Sequence, residues 1–301
     1  MSTNGHGDQY IRDTILVPEE LRPVIPKAMS VGGSDSSAGS GIQADLKTFA
    51  AHGVYGTTTV VAVTAQSTKG VYAIAEVPDE VVVAQIDMLM EDIGADAAKT
   101  GILSSALIVE VVADRLAAWG VPTVVDPVMI SRTGDLLLQR NALNAVRRHL
   151  IPMSKIVTPN IPEAEALSGR TIVTEEDLRE AARAIHALGT EWVLIKGGHR
   201  STTATDVLFD GVMFYEMPAE RIETFNILGA GSTLSAAITA NLALGLDLLP
   251  AVEAARAYLI GAMRAGYAIG GGHSPVNHFF RFPGSGPAAS ARSAPPTPRD
   301  G

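Results

Sequence analysis

Residues 156–196 read IVTPNIPEAEALSGRTIVTEEDLREAARAIHALGTEWVLIK. Two short apolar runs rich in β-branched residues, Ile156–Thr158 and Val193–Ile195, flank a helical pattern over Glu175–Ala187. Runs of that length and composition read as buried strands, and a strand, a helix and a second strand form the repeating unit of a parallel sheet. The same alternation continues outward. Strands are expected at Thr57–Val63 and Thr123–Val125, and helices at Ile42–His52, Glu80–Ile93, Ala106–Trp119, Leu234–Leu244 and Ala251–Tyr267. Several of these helices start after Asp, Ser or Thr and end at Gly. The expected fold is therefore α/β, with a mostly parallel central sheet and helices on both faces. Asp206–Glu216 alternates around Asp210-Gly211, a favoured hairpin turn pair, so an antiparallel hairpin is expected to close one edge.

Composition narrows the function classes. At 301 residues and 47% apolar content the chain can bury a full core, and one domain over residues 26–282 is expected. Residues 1–25 and the Gly, Ser, Ala and Pro-biased tail 283–301 lack apolar periodicity and read as mobile ends. There is no cysteine, which excludes disulfides, thiolate nucleophiles and Cys-ligated metals. No secretory leader or membrane-length apolar run is visible, so a cytoplasmic location is expected. A net charge of −9 without a Lys/Arg block argues against a nucleic-acid partner. An anionic ligand must be small and locally held.

In open α/β sheets, ligands sit beyond the carboxyl ends of the strands. Three strands run into polar residues there: Val125 into Asp126-Pro127, Val157 into Thr158-Pro159-Asn160-Ile161-Pro162-Glu163, and Ile195 into Lys196-Gly197-Gly198-His199. Two carboxylates and an ammonium at one end of the sheet suit a Mg²⁺–nucleotide. Local capping or pairing is the competing reading of Asp126 and Glu163. Next, Gly229-Ala230-Gly231-Ser232-Thr233 opens a helix. Bare backbone N–H groups and the helix dipole both favour negative charge at such a terminus, where a transferring phosphoryl group could rest. Gly32-Gly33-Ser34-Asp35-Ser36-Ser37-Ala38-Gly39-Ser40-Gly41 lacks the acidic residue of a dinucleotide loop.

These motifs, in this order, carry a resemblance. They are Gly33-Ser34-Asp35, the run Gly41 to Phe49, Thr64-Ala65-Gln66-Ser67-Thr68, Lys99 to Leu103, Asp126-Pro127-Val128 and Thr158 to Ala164. Lys196 to His199, Gly229-Ala230-Gly231 with Thr233 to Ala237, and His273 to Val276 complete them. Over roughly residues 28 to 281 the chain resembles the hydroxymethylpyrimidine/phosphomethylpyrimidine kinase family of thiamine biosynthesis, within the ribokinase-like superfamily. The resemblance implies ATP-dependent phosphorylation, with Mg²⁺, of 4-amino-5-hydroxymethyl-2-methylpyrimidine and then of its monophosphate. It implies that Gly33, Asp45 and Gln66 line the pyrimidine pocket, with Thr64 and Ile102 nearby. Asp126 and Glu163 would serve the metal; Lys196, Asn160 and Thr233 the nucleotide; Gly229, Gly231 and Ser232 the catalytic loop. A homodimer is also implied.

One position departs from the family pattern. Family members generally carry Cys after the second glycine, and the wider superfamily carries Asp there as proton acceptor; this chain has Ser232, with Leu228 and Ala230 in place of His and Thr. A serine hydroxyl is a poor base near neutral pH, so weakened turnover is expected. A pyridoxal-type kinase and a catalytically silent pyrimidine- or nucleotide-binding protein are the competing readings.

Overall fold

The computed structural model describes residues 24–129, 142–197, 204–219, 222, 224 and 226–283. The expectations for the segments 1–23 and 284–301, and for Gly198 and His199, lie outside them. In chain order, β1 (Lys27–Asp35) leads through the serine-rich loop into α1 (Gly41–Ala51), and β2 (Tyr55–Ser67) turns back through β3 (Gly70–Glu76) into α2 (Asp79–Asp92). Then come β4 (Ala97–Thr100), α3 (Ala106–Trp119), β5 (Thr123–Val125), and α4 (Ala142–Ala145), which opens into a wide helical turn before β6 (Ile156–Val157). The chain continues through α5 (Ile161–Ser168), α6 (Glu175–His186), β7 (Trp192–Ile195), β8 (Ala204–Phe209) and β9 (Phe214–Ala219). It ends with β10 (Asn226–Leu228), α7 (Ala230–Ala243), α8 (Leu248–Arg264) and β11 (Ser274–Pro275).

Among the described residues the main sheet runs β3-β2-β1-β4-β5-β6-β7-β8-β9. The strands from β2 to β7 in that order pair in parallel, whereas β3 pairs antiparallel with β2, and β7, β8 and β9 pair antiparallel in succession. The expected hairpin therefore exists as β8 and β9. Asp210 Oδ1 accepts from the N–H groups of Val212 and Met213, and Gly211 takes φ 94°. The opposite edge strand, β3, was not expected. Most of its residues are exposed, so it carries no apolar alternation to read.

Period two decides which face each core residue joins. Val125, Val157, Val193 and Ile195 pack with α2, α3, α5 and α6, while Val124, Ile156 and Leu194 pack with α7 and α8 on the other face. Phe49 of α1 joins Ala236, Ala240 and Ala243 of α7. Helices thus cover both faces, as the β-branched runs demand. Two boundaries shift for local reasons. Helix α7 starts at Ala230, because Gly229 at φ 73° ends the preceding extended backbone. Helix α8 begins at Leu248, three residues before the expected Ala251, with Pro250 in its first turn, where no intrahelical N–H is needed. Helix α5 was missed; its Asn160 accepts from Glu163 N–H and its Glu163 accepts from Asn160 N–H, a reciprocal cap.

Candidate functional site

Strands β5, β6 and β7 lie side by side, so the polar segments at their carboxyl ends converge. Asn160 continues the pairing as a parallel bridge to Lys196, whose N–H donates to Pro159 O at 2.9 Å. That continuation sets where the Lys196 side chain starts, and its Nζ reaches 3.2 Å from Asp126 Oδ1. Burial acts to lower the Lys196 pKa, but the Asp126 and Glu163 carboxylates outweigh it and the net direction is upward. Lys196 is therefore a protonated cation at working pH. Burial pushes Glu163 up to about 7, with Lys196 opposing the shift and Asp126 adding to it. The two carboxylates and the ammonium expected at one end of the sheet are together. Glu163 also caps α5 with Asn160, and Asp126 pairs with Lys196, so the local reading of Asp126 and Glu163 holds as well.

The glycine loop closes over this group. A Cβ on Gly229 would lie 2.0 Å from Gly39 O, so only glycine lets the phosphate-side and substrate-side loops touch. A Cβ on Gly231 would lie 3.6 Å from Lys196 Nζ and 3.7 Å from Asp126 Oδ2. Ser235, one turn on, sets its Oγ 3.2 Å from Asp126 Oδ2. The first N–H groups of α7, which have no intrahelical acceptor, thus open beside a half-buried cation and a buried carboxylate. Ser232 is half-buried in this turn, and among the described residues its hydroxyl makes no hydrogen bond. Thr233 points inward instead: its hydroxyl donates to Gly229 O at 2.8 Å and lies 3.0 Å from His278 Nε2. Since that proton is given to Gly229, His278 Nε2 is the donor in the second contact. Burial, with the Lys47 charge adding, depresses His278 to about 4, consistent with a neutral ring.

On the substrate side, Asp35 organises the serine loop by accepting from the N–H and hydroxyl groups of both Ser37 and Ser40. Gln66 Nε2 lies 3.3 Å from Ser40 Oγ, and Gln66 Oε1 lies 3.3 Å from Thr64 Oγ1. A Cβ on Gly33 would stand 3.9 Å from Ile102, which places those two residues together. Asp45 sits apart from this polar edge. It faces the sheet from α1, 1% exposed, with both oxygens within 2.8 Å of Lys99 Nζ and one accepting from Ser30. Burial raises its pKa against the pull of Lys99. Among the described residues its hydrogen-bonding neighbours are Lys99 and Ser30, on the sheet side of α1, and not Gln66.

Sequence reasoning assigned no role to Asp35, Ser40, Lys99, Ser235, Asp206 or His278. Asp206 accepts from Gly197 N–H at 2.8 Å and from Arg256 Nε at 2.9 Å, pinning the chain just after Lys196. For Asp35 the signal was visible, because an acid followed by serines two and five residues on is a turn-capping pattern. For Ser235 and His278 none was, since their partners are 109 and 45 residues away. Two carboxylates beside a lysine fit Mg²⁺, which characteristically takes one or two carboxylates and leaves the remaining positions to water and phosphate. Among the described residues no three His, Asp or Glu side chains converge as an all-protein metal cage.

A family model described as phosphomethylpyrimidine kinase matches residues 35–277. This chain belongs to that family. The match takes in every expected site residue except Gly33, two positions before it begins. A hydroxymethylpyrimidine/phosphomethylpyrimidine kinase from Rhizobium meliloti is 47% identical over 259 residues, covering 85% of this chain and 97% of the relative. Among solved structures, a phosphomethylpyrimidine kinase from Clostridium difficile is 41% identical with a TM-score of 0.71, covering 78% of this chain and 98% of that one. An ADP complex of Bacillus subtilis pyridoxal kinase is 36% identical with a TM-score of 0.80, covering 86% and 99%. The phosphomethylpyrimidine kinase family and its pyridoxal kinase neighbours share the ribokinase-like fold seen here. Among the described residues no helix is long and apolar enough to cross a membrane.

Proposed function

We propose that this phosphotransferase moves the γ-phosphoryl group of ATP to the hydroxyl of 4-amino-5-hydroxymethyl-2-methylpyrimidine and then to its monophosphate. The observation that carries this reading is the contact of the two loops: Gly229 lies against Gly39, which brings the Lys196–Asp126 pair and the Gln66–Ser40 edge to one place. Membership of the family supplies the substrate class.

Each residue's part comes from its surroundings. Lys196 stays protonated and would neutralise phosphate charge, while the N–H groups at the start of α7 orient the transferring group. Asp126 and Glu163 would hold Mg²⁺, whose chemistry when bound is to neutralise phosphate charge. Gln66 reads the heterocycle edge, and Gly33 with Ile102 gives it an apolar wall. Asp45, neutralised by Lys99, shapes the floor behind that pocket. With a hydroxyl at position 232 in place of a base, phosphoryl transfer here relies on positioning and charge, and turnover is slower than with a thiol at that place.

The test is ADP release from Mg·ATP with the pyrimidine alcohol, with its monophosphate and with pyridoxal in parallel. Turnover on the pyrimidines supports the reading. Turnover on pyridoxal alone would move the assignment to the pyridoxal kinase neighbours, and tight pyrimidine binding with no ADP would make this chain a binder.

A further inference from the structure

The hydrogen bonds on the substrate side have a fixed direction, and it reaches Gln66. Asp35 Oδ2 accepts from Ser40 N–H at 2.8 Å and from the Ser40 hydroxyl at 2.7 Å. A carboxylate has no proton to return, so the single hydroxyl proton of Ser40 is committed to Asp35. Ser40 therefore shows Gln66 only lone pairs, and the amide atom 3.3 Å away must be the donor Nε2. In that sense Gln66 Oε1 lies 3.3 Å from Thr64 Oγ1, whose hydroxyl proton has its nearer acceptor in Ser34 O at 2.9 Å, so the Ser40 contact is the one that orders the amide. A flipped amide would set Oε1 against the Ser40 lone pairs. With Ser40 served, the amide keeps one N–H and its oxygen lone pairs, in a fixed order.

We propose that Asp35 and Ser40 are positioning residues for specificity: they hold the Gln66 amide in the one sense that matches a 4-aminopyrimidine and opposes a 4-oxopyrimidine. The proposal rests on the hydroxymethylpyrimidine reading above. A 4-aminopyrimidine presents an N–H beside a ring nitrogen lone pair, so Oε1 accepts from the amino group while Nε2 donates to the ring. A 4-oxopyrimidine reverses that order, setting oxygen against Oε1 and N–H against N–H. Position agrees with this assignment. Ser40 Cα lies 3.2 Å from where a Cβ would stand on Gly229, so the amide edge adjoins the glycine loop, as a hydroxymethyl group next to the amino carbon requires.

The experiment is calorimetric titration of the full chain, without nucleotide, with 4-amino-5-hydroxymethyl-2-methylpyrimidine and its 4-oxo analogue. It compares wild type, Ser40→Ala and Asp35→Asn, and omitting turnover keeps Ser232 out of the readout. Wild type should favour the amino compound by at least about 100-fold, because reversing both polar contacts leaves buried groups unpaired. Each variant should lower that ratio by about tenfold, since the amide can then turn. Asp35→Asn keeps the side-chain volume at 35, so it still decides the matter if Ser40→Ala fails to fold. Ratios unchanged in the folded variants, even with both affinities reduced, overturn the proposal and assign Asp35 a purely structural part. Equal wild-type affinity for the two compounds overturns it too, while leaving the pyrimidine reading intact; binding of neither removes that reading and the proposal with it.

Discussion

Ser232 occupies the turn where a proton acceptor is expected, half-buried at the start of α7 and beside Gly231. A thiol there would have a reference pKa of about 8.5, lowered further by the helix terminus, whereas a hydroxyl stays protonated. Ser232→Cys is thus expected to raise the rate of ADP release by about tenfold or more, and Ser232→Ala to change it by less than about twofold. Equal rates for Ser232→Cys and wild type would show that this position handles no proton. Glu163 makes a different case, because its raised pKa records a cost of burying charge. In Glu163→Gln the amide oxygen still accepts from Asn160 N–H, so the melting temperature should hold or rise. The same change should weaken the Mg²⁺ dependence of kcat/KM by about tenfold or more if Glu163 serves the metal. Asn-x-x-Glu was legible in the sequence as a site element, with local capping as the competing reading of Glu163, and the folded chain uses the pair for the cap at least. Lys99 stood inside a quoted motif, yet nothing local says that its ammonium runs to Asp45, 54 residues earlier.

At the scale of elements, two glycines in left-handed backbone separate function from stability. Gly229→Ala would strain φ 73° and drive a Cβ to within 2.0 Å of Gly39 O, parting the two loops. Gly211→Ala would strain φ 94° at the hairpin turn, with His186 Nε2 2.6 Å from the new Cβ. Both should lose roughly 1–3 kcal/mol in denaturant melts. Only Gly229→Ala should also lose kcat/KM per folded molecule, by about 100-fold, because a displacement of about an ångström at the reacting group is that costly. A comparable kcat/KM loss in Gly211→Ala would mean that the edge hairpin, not the loop contact, governs the site. The hairpin was readable beforehand since Asp-Gly needs no partner to form a turn. Strand β3 was not, because an exposed edge strand is specified by the backbone of its neighbour rather than by its own pattern.

For the whole molecule, the sheet passes without interruption from the substrate side to the nucleotide side, so one cooperative unfolding transition is expected. Its pH dependence should carry the mark of His278. The ring is held neutral in the fold, depressed to about 4, whereas in the unfolded chain it takes a proton near 6.5. Stability from this group is therefore complete above about pH 6.5 and is lost as pH falls toward about 4, on the order of 3 kcal/mol in all. Urea midpoints measured from pH 7 to pH 5 should fall, and His278→Gln, which keeps a donor for Thr233, should flatten that fall. An unchanged slope in the variant would assign the acid sensitivity to other groups.

What the sequence determined by itself was whatever neighbours along the chain can enforce. That covers the alternation of buried strands and helices, the Asp210-Gly211 turn, the Asn160 to Glu163 cap, and the polar residues that end β5, β6 and β7. Each depends on period, φ preference or hydrogen bonds spanning a few residues. Tertiary structure alone decided the rest: that Gly229 meets Gly39, that Lys99 neutralises Asp45, that Ser235 reaches Asp126, and that His278 holds Thr233. Those contacts join residues tens to nearly two hundred positions apart. They exist only once the sheet has aligned its strand ends, and a buried hydrogen bond or ion pair leaves no periodic trace in the chain that makes it.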